Sequence, residues 1–252
     1  MRSTSDEGML TPDDALDRLG SLRLTDHSMR SLLEEIARLA QQSLPGRLET
    51  SVTLLTGDDA TTAVSTGQLA RDLDETQYAL GHGPCMHAAA EGEPVEIPDA
   101  RTEARWPDYA GVATEHGCLS SLSLPLPLHE RVSGALNIYA RQAAAFDDRS
   151  RGFARRFATY GAVVAGNMLV FESALDRARN LEAALASRAV IDQAKGVLME
   201  RFKMTADEAF QALVGVSMKS NTKVRDIAER FVLTGELGGG RADDGRGFRT
   251  RS

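Results

Sequence analysis

Lys219, Asn221, Lys223 and Arg225 crowd into seven residues of the stretch "MKSNTKVRDIAERF" (218–231). Ammonium and guanidinium groups neutralise phosphates, and an asparagine amide can both donate and accept at a base edge. The cluster therefore has the chemistry of a polyanion contact. Arg188, Lys195, Arg201 and Lys203 precede it, and between Arg188 and Arg225 seven cations stand against four carboxylates, a local charge of +3. The whole chain carries −7, which leaves −10 on the first 187 residues. This asymmetry fits an acidic body with a polyanion-facing module, although a plain solvated helix face gives the same count.

A second group with chemical potential is "HGPCMH", which brings His82, Cys85 and His87 together in sequence. With no fourth ligand nearby, a metal site is not expected there. Cys85 and Cys118 are the only cysteines, too few for a disulfide framework. They read as small hydrophobes or as a redox pair, and both readings stay open. No paired carboxylates, nucleophile triad or phosphate-cradling glycine loop stands out, so no catalytic residue, metal or cofactor is expected and the chain does not read as an enzyme.

These groups need a scaffold. At 252 residues and 42% apolar content the chain can fill two domain cores. No apolar run approaches a membrane span and "MRSTSDEGML" lacks the pattern of a secretory leader, so a cytoplasmic location is expected. Thr11 before Pro12 reads as a helix start, followed by a stripe of Leu16, Leu19 and Leu22. A helix is predicted over 29–42, on Leu32, Leu33, Ile36, Leu39 and Ala40. The period then changes, and strands are predicted at 50–57, 61–66, 94–99, 119–128 and 134–140. Helices flanking such strands indicate an α+β fold with an antiparallel sheet.

After "FDDRS" (146–150) there is no further proline, and a long connecting helix is predicted over 150–190. Phe157, Gly161, Val164, Met168, Phe171, Leu175, Ala178, Glu182, Leu185 and Ala189 step by four and three, with Gly161 and Glu182 as defects. That stripe can pack on its own domain or serve as a coiled-coil dimer seam, and spacing alone leaves both open. Three short helices should follow. The first is carried by Ile191, Ala194, Val197, Leu198 and Phe202; the second is opened by the capping box Thr205–Glu208; the third starts at Asn221–Thr222 and ends near Gly235. Phe202, Phe210 and Phe231 are all expected inside this bundle, leaving polar groups to do any reading of bases. The glycine-rich tail, 237–252, is expected to be disordered.

The run "AKGVLMERFKMTADEAFQAL…SMKSNTKVRDIAERF" resembles the ANTAR domain of bacterial transcription antitermination regulators, over about 184–236. The region 27–172 resembles a GAF domain of the kind found in actinobacterial GAF–ANTAR proteins, through "GHGPCMHAAAEGEPVEIPDARTEARWPDYAGVATEHG" (81–117) and "SLPLPLHERVSGALNIYA" (123–140). Residues 1–26 then form an N-terminal extension. The resemblance implies a GAF sensor with an α+β fold, a connecting helix, and a three-helix bundle that captures stem-loops in nascent leader RNA. It also implies a homodimer acting on tandem hairpins, with an unknown small molecule or protein partner at the GAF domain. Carried onto this sequence, Arg188, Lys195, Lys219, Asn221, Lys223 and Arg225 become RNA-binding candidates, with Arg201 and Lys203 behind them; Asn221 can equally be a helix cap. Some GAF proteins reduce free methionine sulfoxide with cysteines, and others attach a bilin at a Cys-His pair, which Met86 interrupts here. Trp106 and Tyr109 read as core or pocket-rim residues. The alternatives are a helix-turn-helix-like DNA-binding regulator and a cysteine-based GAF enzyme.

Overall fold

The computed structural model describes residues 10–57, 59–129 and 132–237; nearly all of the tail expected to be disordered lies outside them. In chain order the elements are α1 (Pro12–Ser21), α2 (Met29–Ser43), β1 (Leu48–Thr56), β2 (Asp59–Ser65), α3 (Gln68–Leu80), α4 (Pro84–Glu91), β3 (Val95–Ile97), α5 (Pro107–Glu115), β4 (Ser120–His129), β5 (Val132–Ala140), α6 (Asp148–Phe202), α7 (Ala206–Ser220) and α8 (Val224–Thr234). The fold is α+β. The described chain divides into two compact units, one up to Ser173 and one from Ala174.

In the first unit the strands form one antiparallel sheet in the order β2-β1-β5-β4-β3. Strand side chains alternate between faces, and here the two faces differ in chemistry. Val52, Leu122, Leu124, Leu126, Leu136 and Ile138 point to one face, where they meet α2 through Leu32, Leu33 and Ile36 and α6 through Phe157 and Met168. The opposite face carries Ser51, Thr53, Ser121, Ser123, Asn137 and Tyr139, all buried. Apolar residues of α3 and α5 pack beside Tyr139, and those of α4 beside Ala135. A sheet covered on both sides explains why seven consecutive residues of β5, Gly134 to Ala140, are buried.

Local signals place the first helices. Thr11 caps α1 by accepting from the Asp14 N–H, with Pro12 in the first turn. Ser28 and Ser31 form a reciprocal capping box at the start of α2. Three helices, α3, α4 and α5, lie where no helix was predicted.

The stripe over 157–189, which spacing left open between an intramolecular contact and a dimer seam, divides in two. Phe157 and Met168 are fully buried in the first unit's own core, Gly161 meets Ile36, and Val164 and Phe171 pack against the same cluster. The first half of the stripe is thus an intramolecular contact, because the sheet and α2 present an apolar surface to it. From Ala174 to Ala186, by contrast, every residue of α6 is exposed. Nor is the first bundle helix separate: α6 runs unbroken through Phe202. Among the described residues no helix is long and apolar enough to cross a membrane.

Gly166 fixes how closely α6 approaches the sheet, since a Cβ there would lie 2.9 Å from the carbonyl oxygen of Leu128. Gly166→Ala is expected to lower unfolding stability by about 1–3 kcal/mol in urea titrations. Gly152→Ala on the same helix, where a Cβ meets nothing within 4 Å, should instead be neutral or stabilising by up to about 1 kcal/mol.

Candidate nucleic-acid interface and a buried polar cluster

The second unit has a small core of Ala194, Leu198, Ala209, Leu213, Ile227, Ala228 and Phe231, contributed by α6, α7 and α8. Ala194, Ala209 and Ala228 are completely buried, so small side chains let the helices approach closely. Thr205 accepts from the Glu208 N–H while the Glu208 carboxylate accepts from the Thr205 N–H at 2.7 Å, fixing the start of α7. Bonds donated by the Thr205 N–H and by its hydroxyl hold the Glu208 carboxyl below its usual range. The turn between α7 and α8 is set by Asn221, in the left-handed region at φ 49°, where its N–H donates to the Ser217 carbonyl. Asn221 is therefore the cap of α7's end, and the position before α8 is held by Lys223.

This turn gathers Lys219 in the last turn of α7, Asn221, Lys223 and Arg225 in the first turn of α8, all four exposed. None of the three cations forms an ion pair among the described residues, and no side chain caps α8. The remaining candidates sit differently. Arg188 and Lys195 both approach Asp192, at 3.8 and 3.2 Å, and Lys203 pairs with Glu200 at 2.8 Å. Arg201 donates to the Gly235 carbonyl at 3.0 Å, tying the end of α6 to the end of α8.

Only Phe231 of the three phenylalanines is inside. Phe202 is 52% exposed and Phe210 39% exposed, because alanines and leucines already fill the narrow space between the helices. The Arg201 guanidinium lies 5.5 Å from the centre of the Phe202 ring. Aromatic faces beside cations were thus missed by reading apolar residues as core.

In the first unit the polar sheet face holds a second cluster. Asp74 of α3 is fully buried and accepts from Thr62 at 3.0 Å, from Asn137 at 3.3 Å and from the Tyr139 hydroxyl. Burial pushes its carboxyl up to about 6, against the pull of those hydrogen bonds. The Tyr78 hydroxyl bridges Thr53 and Thr62 at 2.8 and 3.0 Å, and Gln77 accepts from the Cys85 N–H at 2.8 Å, linking α3 to α4. Ser123 and Asn137 are paired across adjacent strands, and Ser123 Oγ and Asn137 Oδ1 are buried without a hydrogen-bond partner among the described residues. Asp74 and Gln77 had given no sequence signal, since buried polar residues interrupt an apolar stripe.

Cys85 is buried within this cluster while His82 and His87 are exposed, so the three do not converge; no group of three metal-ligating side chains is found among the described residues. Burial raises both thiols, Cys118 to about 12. His87 stacks edge-on to Trp106 with centroids 5.7 Å apart, and these two line a surface cleft with Met86 and Gly57. Trp106 is half-buried and Tyr109 buried.

Residues 26–164 match the model of the GAF domain, and residues 179–232 match that of the ANTAR domain. Since the first match spans more than half of it, the chain belongs to the GAF domain family, and the second makes it a GAF–ANTAR protein. No curated protein sequence matches it. Solved structures similar to it include free methionine-R-sulfoxide reductase from Neisseria meningitidis in complex with its substrate, at 20% identity over 66% of this chain and 96% of that one, with a TM-score of 0.49. The phycocyanobilin-bound GAF domain from a cyanobacterial phytochrome is 11% identical over 64% and 97%, with a TM-score of 0.50. A domain of a two-component sensor histidine kinase protein from Sinorhizobium meliloti 1021 is 17% identical over 58% and 96%, with a TM-score of 0.46. At such identities the likeness is one of fold.

Asp74 predicts a pH effect of definite sign. Its carboxyl titrates near 6 in the folded chain and near 3.8 as a free group, so the native state holds the proton more tightly. This group costs stability as pH rises from about 4 to 6, and the loss is complete above that window. In urea titrations at pH 4.5 and 7, Asp74→Asn should gain on the wild type by an amount on the order of 2 kcal/mol as pH rises.

Proposed function

We propose that this GAF–ANTAR protein is an RNA-binding transcription antitermination regulator, whose C-terminal helices capture stem-loops in nascent leader RNA under control of the GAF domain and of homodimerisation. The observation that carries the reading is the α7–α8 turn. Three cations without an ion pair among the described residues, Lys219, Lys223 and Arg225, surround Asn221 and a helix start that no side chain caps. Phosphates suit such a turn, since free N–H groups at a helix start add positive potential to that of the side chains. Asp226 in the first turn of α8 opposes them and keeps the site from being a general anion trap. Lys195 is half-buried and Lys203 is paired, so they contribute less; Phe202 and Phe210 offer faces on which unpaired loop bases can stack.

A few phosphate contacts per protomer bind weakly at physiological salt, whereas two protomers on tandem hairpins gain effective concentrations of about millimolar. Control is assigned to the GAF domain, where the unpartnered Ser123 and Asn137 atoms and the Asp74 cluster support the binding of a small polar ligand. Such a ligand acts only through different affinities for two arrangements of the dimer. The buried, protonated thiols support a regulator over a cysteine enzyme.

Mobility shifts with tandem hairpin RNA, single hairpin RNA and duplex DNA across a salt series test this reading. Tandem hairpins should bind tightest. Removing charge at Lys195, Lys219 and Lys223 together should weaken that binding about 10–100-fold and flatten the salt dependence by about two units of slope. Undiminished RNA capture by the triple variant, or preference for duplex DNA, overturns the proposal.

A further inference from the structure

Two guanidinium groups meet at the opposite end of β1 from the Trp106 cleft. Leu48 and Ala140 are the last cross-strand pair of β1 and β5, and one position beyond them stand Arg47 and Arg141, both exposed. They line one cleft of about 240 Å³, with Pro45 and Gly46 on one side and Gln142 and Ala145 on the other. Like charges on neighbouring strand ends repel. Among the described residues the one carboxylate paired with either of them is Glu49, 3.7 Å from Arg141, and it also accepts from the Ala70 N–H at 3.2 Å. Arg47 has no ion pair among the described residues. The first 187 residues carry −10, so this cationic pair runs against the charge of the body that bears it.

Both sides of the cleft are held in place by bonds of the fold. Gln41 Nε2 donates to the Leu48 carbonyl at 2.7 Å, and Pro45 restricts the loop that leads into β1. Across the cleft the Ser120 hydroxyl donates to the Gln142 carbonyl at 2.7 Å and accepts from the Ala145 N–H at 3.4 Å. Between these two, Ala144 sits in the left-handed region at φ 51°, its N–H donating to the Pro98 carbonyl at 2.7 Å. That backbone is costly for a residue with a Cβ, and it marks a loop whose shape is imposed by its surroundings. Arg141 is aimed by the His116 carbonyl, to which it donates at 3.2 Å.

One guanidinium fork satisfies both oxygens of a carboxylate. A phosphoryl group has three terminal oxygens and carries up to two charges, enough to engage two forks at once. The cleft is smaller than the roughly 300–1,000 Å³ of sites for drug-sized ligands, so its occupant is small. We infer that Arg47 and Arg141 together hold the phosphoryl group of a small phosphorylated molecule, with Leu48 and Ala145 beside the group that the phosphate carries. The site is separate from the Asp74 cluster and from the α7–α8 turn. An anion held there fastens the loop before β1 to the loop that leads from β5 into α6.

The test uses isotope-labelled full-length protein at constant ionic strength and about pH 7.5, where a phosphomonoester is largely a dianion. Inorganic phosphate and glycerol phosphate are titrated separately, with acetate as the monocarboxylate control. Both phosphates should shift the Gly46 and Gln142 amide resonances saturably, and acetate should not. Arg47→Gln and Arg141→Gln, both at exposed positions, should each weaken binding about tenfold, whereas Arg47→Lys, which keeps the charge but loses the fork, should weaken it about threefold. Lys223→Gln should leave these shifts unchanged, and Arg47→Gln should bind hairpin RNA as the wild type does. Absence of a saturable shift, an equal response to acetate, or full phosphate affinity in Arg47→Gln overturns the site. A parallel loss of RNA binding in Arg47→Gln overturns its assignment to a small molecule.

Discussion

One uninterrupted hydrogen-bonded helix of 55 residues constrains everything else in this chain. Its N-terminal part supplies Phe153, Phe157 and Met168 to the core against the sheet, and its C-terminal part supplies Ala194 and Leu198 to the bundle. Between them, Ala174 to Ala186 is exposed throughout, with no described residue packed on it to hold it helical. Local physics does so instead. The segment "ALDRARNLEAALASRA" is dominated by alanine, leucine, arginine and glutamate, which lose little freedom in a helix, and the Asp176–Arg179 pair adds a small increment one turn apart. Nucleation is already provided by the packed turns on either side, so the exposed stretch only has to propagate.

The sheet illustrates how one set of strands can serve two purposes. The leucine-rich face against α2 and α6 stabilises by apolar burial and requires nothing more specific than volume. The serine, threonine, asparagine and tyrosine face is costly to bury and is tolerable only because almost every group finds a partner. Asp74 is the extreme member, a carboxyl without a cation beside it, held by three donors from β2 and β5. Such a cluster specifies geometry more sharply than an apolar contact does, since displacing α3 leaves several buried groups unpaired at once.

What could be read from the sequence follows this division. Strands with a clean period of two, and helices with caps at Thr11 and Thr205, were legible because backbone and side-chain preferences agree there. Helices α3, α4 and α5 were not. Asp74 and Gln77 are buried and break the apolar stripe of α3; α4 and α5 are short, alanine-containing and start at Pro84 and Pro107, which read as interruptions. The heptad-like stripe stayed ambiguous for another reason: a helix lying on its own domain and a helix pairing with a partner have nearly the same spacing, and only the structure shows that Met168 is buried while Leu181 is exposed. Within the candidate interface the cations were legible as types but not as free or engaged. Nothing in the sequence says that Arg201 donates one N–H to the Gly235 carbonyl.

That last distinction decides where the positive potential of an acidic chain is concentrated. A cation beside a carboxylate on the same helix presents a dipole to an approaching polyanion, and its field is largely cancelled within a Debye length of about 8–10 Å. Arg188, Lys195 and Lys203 are of this kind. Lys219, Lys223 and Arg225 keep their monopole fields, and the start of α8 reinforces them. Although the candidates are spread over three helices in sequence, three of the four cations that have no ion pair among the described residues belong to one turn, the fourth being Arg201. For a phosphate backbone that turn is a localised focus of charge, tempered by Asp226 in the first turn of α8, so discrimination among polyanions has to come from the shape and stacking of unpaired bases more than from the strength of attraction.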